Sequence, residues 1–240
     1  MKKIGIIGAM DAEVAYLKQI AASASVTQVK AGGLTFMEGT IGGTSVVIVK
    51  SGIGKVNAAL CAQRLIMQFG VTHIINTGIA GAAAKGLCVL DFVVSTEAVY
   101  HDFDVTGFGY APTVIPQMAC SVFAADGALL QAVQTAFAEQ RNKAPFSDHA
   151  LLPGRIASGD QFISSKEVKQ HIIDICAPAC VEMEGAAIAH ACYINGTPFV
   201  ILRCMSDMAD DSGEATYEFN ENTAAEMSAK LVVSAIEKLL

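Results

Sequence analysis

The sequence has no tryptophan, and aromatic residues occupy only 7% of its 240 positions. Charged residues are also scarce at 16%, whereas 52% of the residues are hydrophobic. This composition excludes a disordered chain and supplies enough apolar material for a sizeable core. Alanine, glycine, valine and isoleucine dominate, which is typical of strands packed closely against helices. The length suits one large domain or two small ones.

Clustered positive charge is also missing. The formal net charge is −7, and the only adjacent basic pair that could begin a cluster is Lys2-Lys3. A protein that binds nucleic acid or an anionic membrane surface needs a basic patch, so neither is expected as a partner.

The cysteines and histidines follow no metal or disulfide pattern. The seven cysteines are scattered, none forms Cys-x-x-Cys, and their number is odd. We therefore expect reduced thiols and a cytoplasmic location. The five histidines show no ligand spacing, so no metal is predicted. No other cofactor is expected either.

No segment reads as a membrane span or a secretion signal. The N-terminal MKKIGIIGAMDAE has a short apolar run that is followed at once by Asp11 and Glu13, which favours a buried first strand over a signal peptide. Two longer uncharged runs, 105–125 and 185–202, are interrupted by glycine and proline. Neither predicts a membrane-spanning helix, so a soluble protein is expected.

Short β-branched runs alternate with segments rich in alanine and leucine. The runs predict strands at 2–7, 45–50, 73–77, 91–96, 154–158, 180–183 and 198–205. Helices are predicted at 12–22, 55–69, 126–140, 165–175, 184–195 and 216–239, with Gly70 and Gly196 as left-handed caps. Many of the strands are apolar almost throughout and show no alternation, as in sheets covered on both faces. The pattern predicts a single α/β domain with a largely parallel or mixed central sheet.

Polar residues collect where the predicted strands end. Six of the seven predicted strands finish in Gly, Ser, Asp or Glu. Ligands in open α/β sheets bind outside the carboxyl ends of the strands. The sequence therefore predicts a site along this edge that contains Glu13, Asp160, Glu182, Glu184, Arg203 and Asp207.

Each of these acids also has a structural interpretation. Glu184 could favour the N-terminus of the helix at 184–195 through the helix dipole. Glu182 could pair with a basic side chain or support the end of that helix. Asp207 could cap a turn. Several acids and one arginine at successive strand ends nevertheless favour a catalytic site.

One further segment has two possible interpretations, and the remaining motifs lack residues that their functions require. Residues 100–120 form a long irregular segment that is either a surface loop or a lid or subunit contact. SGIGKVN at 51–57 lacks the first glycine and the Ser/Thr of a phosphate loop, and no G-x-G-x-x-G or G-x-S-x-G is present. The pair His101-Asp102 is more typical of surface hydrogen bonding.

Seven motifs in order resemble one enzyme family. They are IGIIGAMDAEV, KSGIGKVNAA, INTGIAG, YHDFDVTGFGY, SGDQFI, VEMEGAAIAH and RCMSDMAD. Together they resemble the bacterial 5′-methylthioadenosine/S-adenosylhomocysteine nucleosidases, in a wider family that includes purine nucleoside and uridine phosphorylases. The resemblance implies one domain over residues 1–240, with three α/β/α layers around a mixed, largely parallel sheet.

The resemblance also implies residue roles. Asp207 would be the general acid, oriented by Ser206, and Glu13 would activate water near Arg203. Glu184 and the backbone of Met183 would bind the ribose, and Phe162 and Ile163 the adenine. The remaining substrate contacts would be Ala80, Gly81, Met10, Ile53 and Tyr217. Four residues would reach into a neighbouring subunit and so imply a homodimer: Val105, Phe108, Tyr110 and Pro116.

The sequence departs from the family pattern at two places in the expected site. Ile79 stands where the family usually has serine, which removes a hydroxyl near the ribose, and Tyr217 stands where phenylalanine is common. The alternative functions are a related purine nucleoside phosphorylase, a nucleosidase of the same family that acts on another 5′-substituted nucleoside, and a nucleoside sensor without turnover. Asp11 and Glu13 argue against a phosphate site, and an intact acid and base argue against a sensor.

Overall fold

The computed structural model describes residues 2–22 and 26–239. Within them, strands and helices alternate along most of the chain. The strands are β1 (Lys3–Gly8), β2 (Thr27–Ala31), β3 (Leu34–Ile41), β4 (Thr44–Lys50), β5 (His73–Ala82), β6 (Phe92–Tyr100), β7 (Phe123–Ala124), β8 (Leu151–Ser158), β9 (Cys180–Glu182) and β10 (Phe199–Asp207). The helices are α1 (Asp11–Ala21), α2 (Lys55–Phe69), α3 (Gly127–Gln140), α4 (Lys166–Cys176), α5 (Gly185–Asn195) and α6 (Gly213–Glu237).

The strands form one mixed sheet in the order β10-β6-β8-β9-β5-β1-β4-β3-β2, with β7 paired to β6. Strand β10 also pairs with β5, so five of the strands close into a ring. The neighbours β4, β1, β5 and β10 run parallel, and their carboxyl ends therefore lie at one edge. The predicted α/β class with a central mixed sheet is confirmed.

Helices cover both faces of the sheet, which explains why the strands are apolar without alternation. Ile6 of β1 packs in a cluster with α1, α3 and α6, whereas Ile7 packs in a second cluster with α2 and α5. Val47 and Ile48 of β4 divide between the same two clusters. Successive side chains of a strand point to opposite faces, so both sets are buried here.

The predicted elements correspond closely to the observed ones, and Gly70 and Gly196 adopt the left-handed conformation, with φ of 62° and 63°. The prediction omitted β2 and β3, which form antiparallel hairpins, and the short β7. Polar residues alternate in β2, which lies at the sheet edge. The Gly-Gly pairs at 32–33 and 42–43, all with positive φ, are the hairpin signal that was available.

The connection between β6 and β7 has little regular structure, as expected from the sequence. It contains one short 3₁₀ turn at Thr106–Phe108. None of the helices that the structure describes has both the length and the apolar character required to cross a bilayer.

Candidate active site

A cavity of about 460 Å³ opens at the carboxyl ends of β1, β5, β9 and β10. Twelve of the residues predicted from the sequence line it: Met10, Glu13, Ile53, Ala80, Gly81, Phe162, Glu182, Met183, Glu184, Ser206, Asp207 and Tyr217. Ile163 lines a small adjoining recess together with Asp207 and Phe162. The parallel register of the central strands brings these distant segments of the chain together.

Glu13 is buried at the first turn of α1 and is held by three backbone donors. Its Oε2 accepts hydrogen bonds from the N–H groups of Ala9 (2.6 Å) and Met10 (3.0 Å), and its Oε1 accepts one from Ile79 (3.0 Å). Burial raises the pKa of Glu13, although the charge of Arg203 and the three N–H donors act in the opposite direction. The carboxylate is therefore fixed in position and made more basic.

Glycine makes room for this carboxylate. A methyl group on Gly78 of β5 would overlap Glu13 Oε1 and would lie 2.8 Å from Arg203 Nη1. Glu13 and Arg203 thus approach the same point of the β5 backbone from α1 and from β10. No larger residue fits between them at position 78 without moving one of the two charged groups.

Asp207 is the last residue of β10 and is 2% exposed. Its Oδ2 accepts a hydrogen bond from Ser206 Oγ (2.8 Å), and its Oδ1 accepts one from the Ala209 N–H (2.7 Å). The β5–β10 register shifts at this point, so that Asp207 lies opposite Gly81. Such irregularities redirect a side chain at the end of a strand. Burial raises the pKa of Asp207 against the effect of both hydrogen bonds.

Glu184 lies at the N-terminal end of α5, and the Gly54 N–H donates to its Oε1 over 2.8 Å. Its Oε2 lies 4.0 Å from Arg203 Nη2. Burial, followed by the negative charge of Glu182, raises the pKa of Glu184 to about 8. The Gly54 N–H and the charge of Arg203 favour the ionised form of Glu184, but burial and the charge of Glu182 outweigh them.

Glu182 has both structural roles that the sequence left open. It pairs with Arg203 and accepts from Ser158 Oγ, and its Oε2 also accepts from the Gly185 N–H (2.8 Å) at the start of α5. Arg203 in turn donates to Asn76 Oδ1 over 2.6 Å. This buried network lies directly behind Glu184.

An apolar wall completes the cavity. The rings of Phe162 and Tyr217 meet edge to face at 5.6 Å, and the Tyr217 hydroxyl donates to Met10 Sδ over 3.4 Å. Ile79 also lines the cavity, with its backbone N–H on Glu13. A flat apolar ligand has a surface to stack on here, and the carboxylates lie beside it.

Several sequence-predicted residues lie elsewhere. Arg203 is buried behind the cavity and is not part of its lining, and Asp160 is bound to the N-terminus of α2 through the Lys55 N–H (2.8 Å). Four predicted residues belong to the irregular connection after β6 and are absent from the lining of this cavity: Val105, Phe108, Tyr110 and Pro116.

The cavity also contains acids that the sequence reasoning missed. Glu214 and Glu218 line it from α6. They lie four residues apart on one face of α6, but the helix predicted at 216–239 begins after Glu214, so this spacing was not recognised. In the described part of the chain, the lining holds six carboxylates and no lysine, arginine or histidine.

Two carboxyl groups that face one cavity are the kind of pair that hydrolysis of a glycosidic bond requires. The chain belongs to the phosphorylase superfamily, whose family model matches residues 3–237.

Individual members of this superfamily are similar to the chain over nearly its whole length. The 5′-methylthioadenosine/S-adenosylhomocysteine nucleosidase of Treponema pallidum is 40% identical over 98% of this chain and 93% of its own. The crystal structure of the same nucleosidase from Neisseria meningitidis, in complex with methylthio-immucillin-A, is 39% identical with a TM-score of 0.92 and 99% of each chain covered. The Colwellia psychrerythraea enzyme, in complex with adenine, also gives 39% and 0.92, with 99% of this chain and 96% of that chain covered.

Proposed function

We propose that this protein hydrolyses the N-glycosidic bond of 5′-methylthioadenosine and S-adenosylhomocysteine, releasing adenine and the 5-thio-ribose product. The observation that carries the proposal is that Glu13 and Asp207, from opposite ends of the chain, line one cavity. The similarity of the whole chain to nucleosidases of that name supports the choice of substrates.

Asp207 is the proposed general acid, which protonates N7 of the departing adenine. Breaking the bond leaves negative charge on the base, so a proton must be supplied there. Burial raises the pKa of Asp207, and this keeps a larger share of the carboxyl protonated than in water. Ser206 fixes the orientation of the carboxyl group through its hydroxyl.

Glu13 is the proposed base, which takes a proton from the attacking water. A general acid and a general base on opposite faces of a sugar constitute the inverting mechanism of glycoside hydrolysis. The three N–H donors stabilise the ionised carboxylate, and the charge of Arg203 does the same. Burial has the opposite effect and raises the pKa of Glu13. The balance between burial and these stabilising contacts suits a base that works near neutral pH.

The remaining predicted contacts are assigned to the ribose, the adenine and the 5′-sulfur of the nucleoside. Glu184 and the backbone of Met183 would bind the ribose hydroxyls beside the apolar wall. Phe162 would stack on adenine, with the backbone of Ile163 at its edge. Met10, Ile53, Met183 and Tyr217 would surround the 5′-sulfur, while Ala80 and Gly81 would form the floor near the base.

A phosphorylase of the same superfamily is the alternative, and the electrostatics of the cavity disfavour it. A phosphate dianion needs cationic or N–H donors, but the lining described above presents six carboxylates. Arg203 is engaged by Glu182 and Asn76 behind the cavity. Water is the nucleophile that fits these surroundings.

The proposal includes a homodimer of single-domain, cytoplasmic subunits. Phe108 and Tyr110 are 85% and 41% exposed on the connection after β6. Val56, Leu60 and Met67 form an exposed apolar stripe on α2. Contact with a second subunit would cover this area and would deliver Val105, Phe108, Tyr110 and Pro116 to the neighbouring cavity.

The direct test is adenine release from a panel of 5′-substituted adenosines and futalosine by the purified protein in phosphate-free buffer. We expect turnover of methylthioadenosine and S-adenosylhomocysteine, with no stimulation by added phosphate. Strict phosphate dependence with a sugar-phosphate product would assign the protein to the phosphorylases. Tight nucleoside binding with no product over hours would indicate a sensor.

A further inference from the structure

Three loops at the rim of the cavity meet on Lys55, the first residue of α2. Lys55 Nζ lies 2.5 Å from Asp102 Oδ2 and 3.7 Å from Asp160 Oδ2. The backbone N–H of Lys55 donates to Asp160 Oδ1 over 2.8 Å, and the Asp160 N–H donates to Asp102 Oδ2 over 3.0 Å. One cation therefore joins the loops that follow β4, β6 and β8.

Two of these loops carry residues of the proposed substrate site. Gly54, next to Lys55, donates its N–H to Glu184, and Ile53 lines the cavity. Phe162 follows Asp160 by two residues and also lines the cavity. The distance between the loop after β4, which contains Gly54, and the loop after β8, which contains Phe162, therefore depends on the contact between Lys55 and Asp160.

The backbone at this contact is specialised. Gly54 has φ of 97°, and a Cβ atom there would lie 3.1 Å from Asp160 Oδ1. A glycine is needed both for the conformation and for the close approach of the carboxylate. The loop is therefore shaped to receive Asp160 while its N–H group reaches Glu184.

Removal of the Lys55 charge would leave two carboxylates facing each other. The side chain of Asp102 is only 27% exposed, and Lys55 itself is 25% exposed. Although burial raises the pKa of Asp102, the hydrogen bonds from Lys55 and the Asp160 N–H outweigh it and keep that pKa below its ordinary value. Without Lys55, repulsion between Asp102 and Asp160 would move the loop after β8, which carries Phe162, and the side-chain contact that holds this loop to the loop after β4 would be lost.

We propose that Lys55 is a positioning residue for nucleoside binding, which sets the spacing between the loop that holds Glu184 and the loop that carries Phe162. The inference rests on the proposed function. It assigns a role to two features that the sequence left unexplained, SGIGK and His101-Asp102. Glu13 and Asp207 are held by other backbone groups, so the effect falls on binding and not on proton transfer.

The test compares Lys55→Met with Lys3→Met by steady-state adenine release. Lys3 pairs with Glu38 at 2.7 Å with side chains 27% and 35% exposed, a matched ion pair at the far end of β1. For Lys55→Met we expect KM to rise about tenfold while kcat changes less than about threefold. Lys55→Arg restores most of the affinity, and Lys3→Met leaves KM unchanged. Both Met variants lower the melting temperature to a similar extent.

An unchanged KM in Lys55→Met, an equal rise in Lys3→Met, or a loss confined to kcat overturns the assignment. If the wild type releases no adenine, the proposed function fails, and calorimetric binding of methylthioadenosine then tests Lys55. In that case Lys55→Met must bind the nucleoside about tenfold more weakly than Lys3→Met does, and equal affinities reject the positioning role.

Discussion

Glu13 and Asp207 face the same cavity but share none of the hydrogen-bond donors that hold them. Backbone groups of Ala9, Met10 and Ile79 hold the first, and Ser206 and Ala209 hold the second. Each carboxyl can therefore be neutralised by mutation without releasing the other. The proposed acid and base can be tested separately for this reason.

The Asp207→Asn substitution removes the proposed proton donor and keeps its size. We expect kcat for adenine release to fall by about 10²–10⁴, because general acid catalysis contributes that much. The Ala209 N–H can still donate to the amide oxygen, so the melting temperature should change little. Asp174→Asn, on an exposed carboxylate of α4 that accepts from Gln170, is the matched control and should retain full activity. An active Asp207→Asn enzyme would remove the general-acid assignment.

Glu13→Gln places an amide group among three N–H donors. The amide has only one oxygen that can accept hydrogen bonds, so at least one of the three N–H groups would face the amide NH₂ group instead of an acceptor. We expect kcat to fall by about 10²–10⁴ and the free energy of unfolding to fall by about 1–3 kcal/mol. Asp11→Asn, on the same turn of α1 but exposed, should change neither value. Urea denaturation and adenine release give the two measurements, and wild-type turnover in Glu13→Gln would contradict the base assignment.

Ionisation of Glu184 links stability to pH. Burial and the charge of Glu182 raise its pKa from 4.5 to about 8 in the folded protein. The folded state then binds more protons than the unfolded state, so this contribution to stability is complete below about pH 4.5 and is lost as the pH rises through about 8. We expect the free energy of unfolding of the ligand-free protein to lose on the order of a few kcal/mol from this group between those limits.

Comparison with Glu184→Gln isolates that contribution. Between about pH 5 and about pH 8, the free energy of unfolding should fall less in the variant than in the wild type, as measured by chemical denaturation at several pH values. Glu226→Gln, on an exposed residue that pairs with Lys230, should follow the wild type. If the free energy of unfolding changes with pH equally in Glu184→Gln and in the wild type, Glu184 ionises normally in the folded protein.

A methyl group at position 81 should disturb the proposed acid. A Cβ on Gly81 would lie 2.8 Å from Asp207 Oδ1 and 2.8 Å from Ala209 Cβ. We expect Gly81→Ala to lower kcat/KM at least about tenfold, since displacing a catalytic group by about 1 Å is costly. Gly127→Ala, where a Cβ meets open space at the start of α3, should behave as the wild type. Equal activity in the two variants would mean that the Asp207 position tolerates movement.

Local sequence patterns account for most of the fold. Apolar runs such as SVVIVK predict β4 because a strand covered on both faces needs no alternation. Gly70 and Gly196 end helices because glycine adopts positive φ at little cost. The hairpin of β2 and β3 was missed because its residues are partly polar and lie at the sheet edge.

The sequence by itself determined the six helices, the strands covered on both faces and the carboxylates that follow strand ends, since these depend on residues close together in the chain. Tertiary structure alone decided that Glu182 binds Arg203, which lies behind the cavity, that Asp160 binds Lys55 at the rim, and that Glu214 and Glu218 join the lining. It also decided the raised pKa values, because burial of a carboxyl depends on segments far apart in sequence that meet only when the sheet closes.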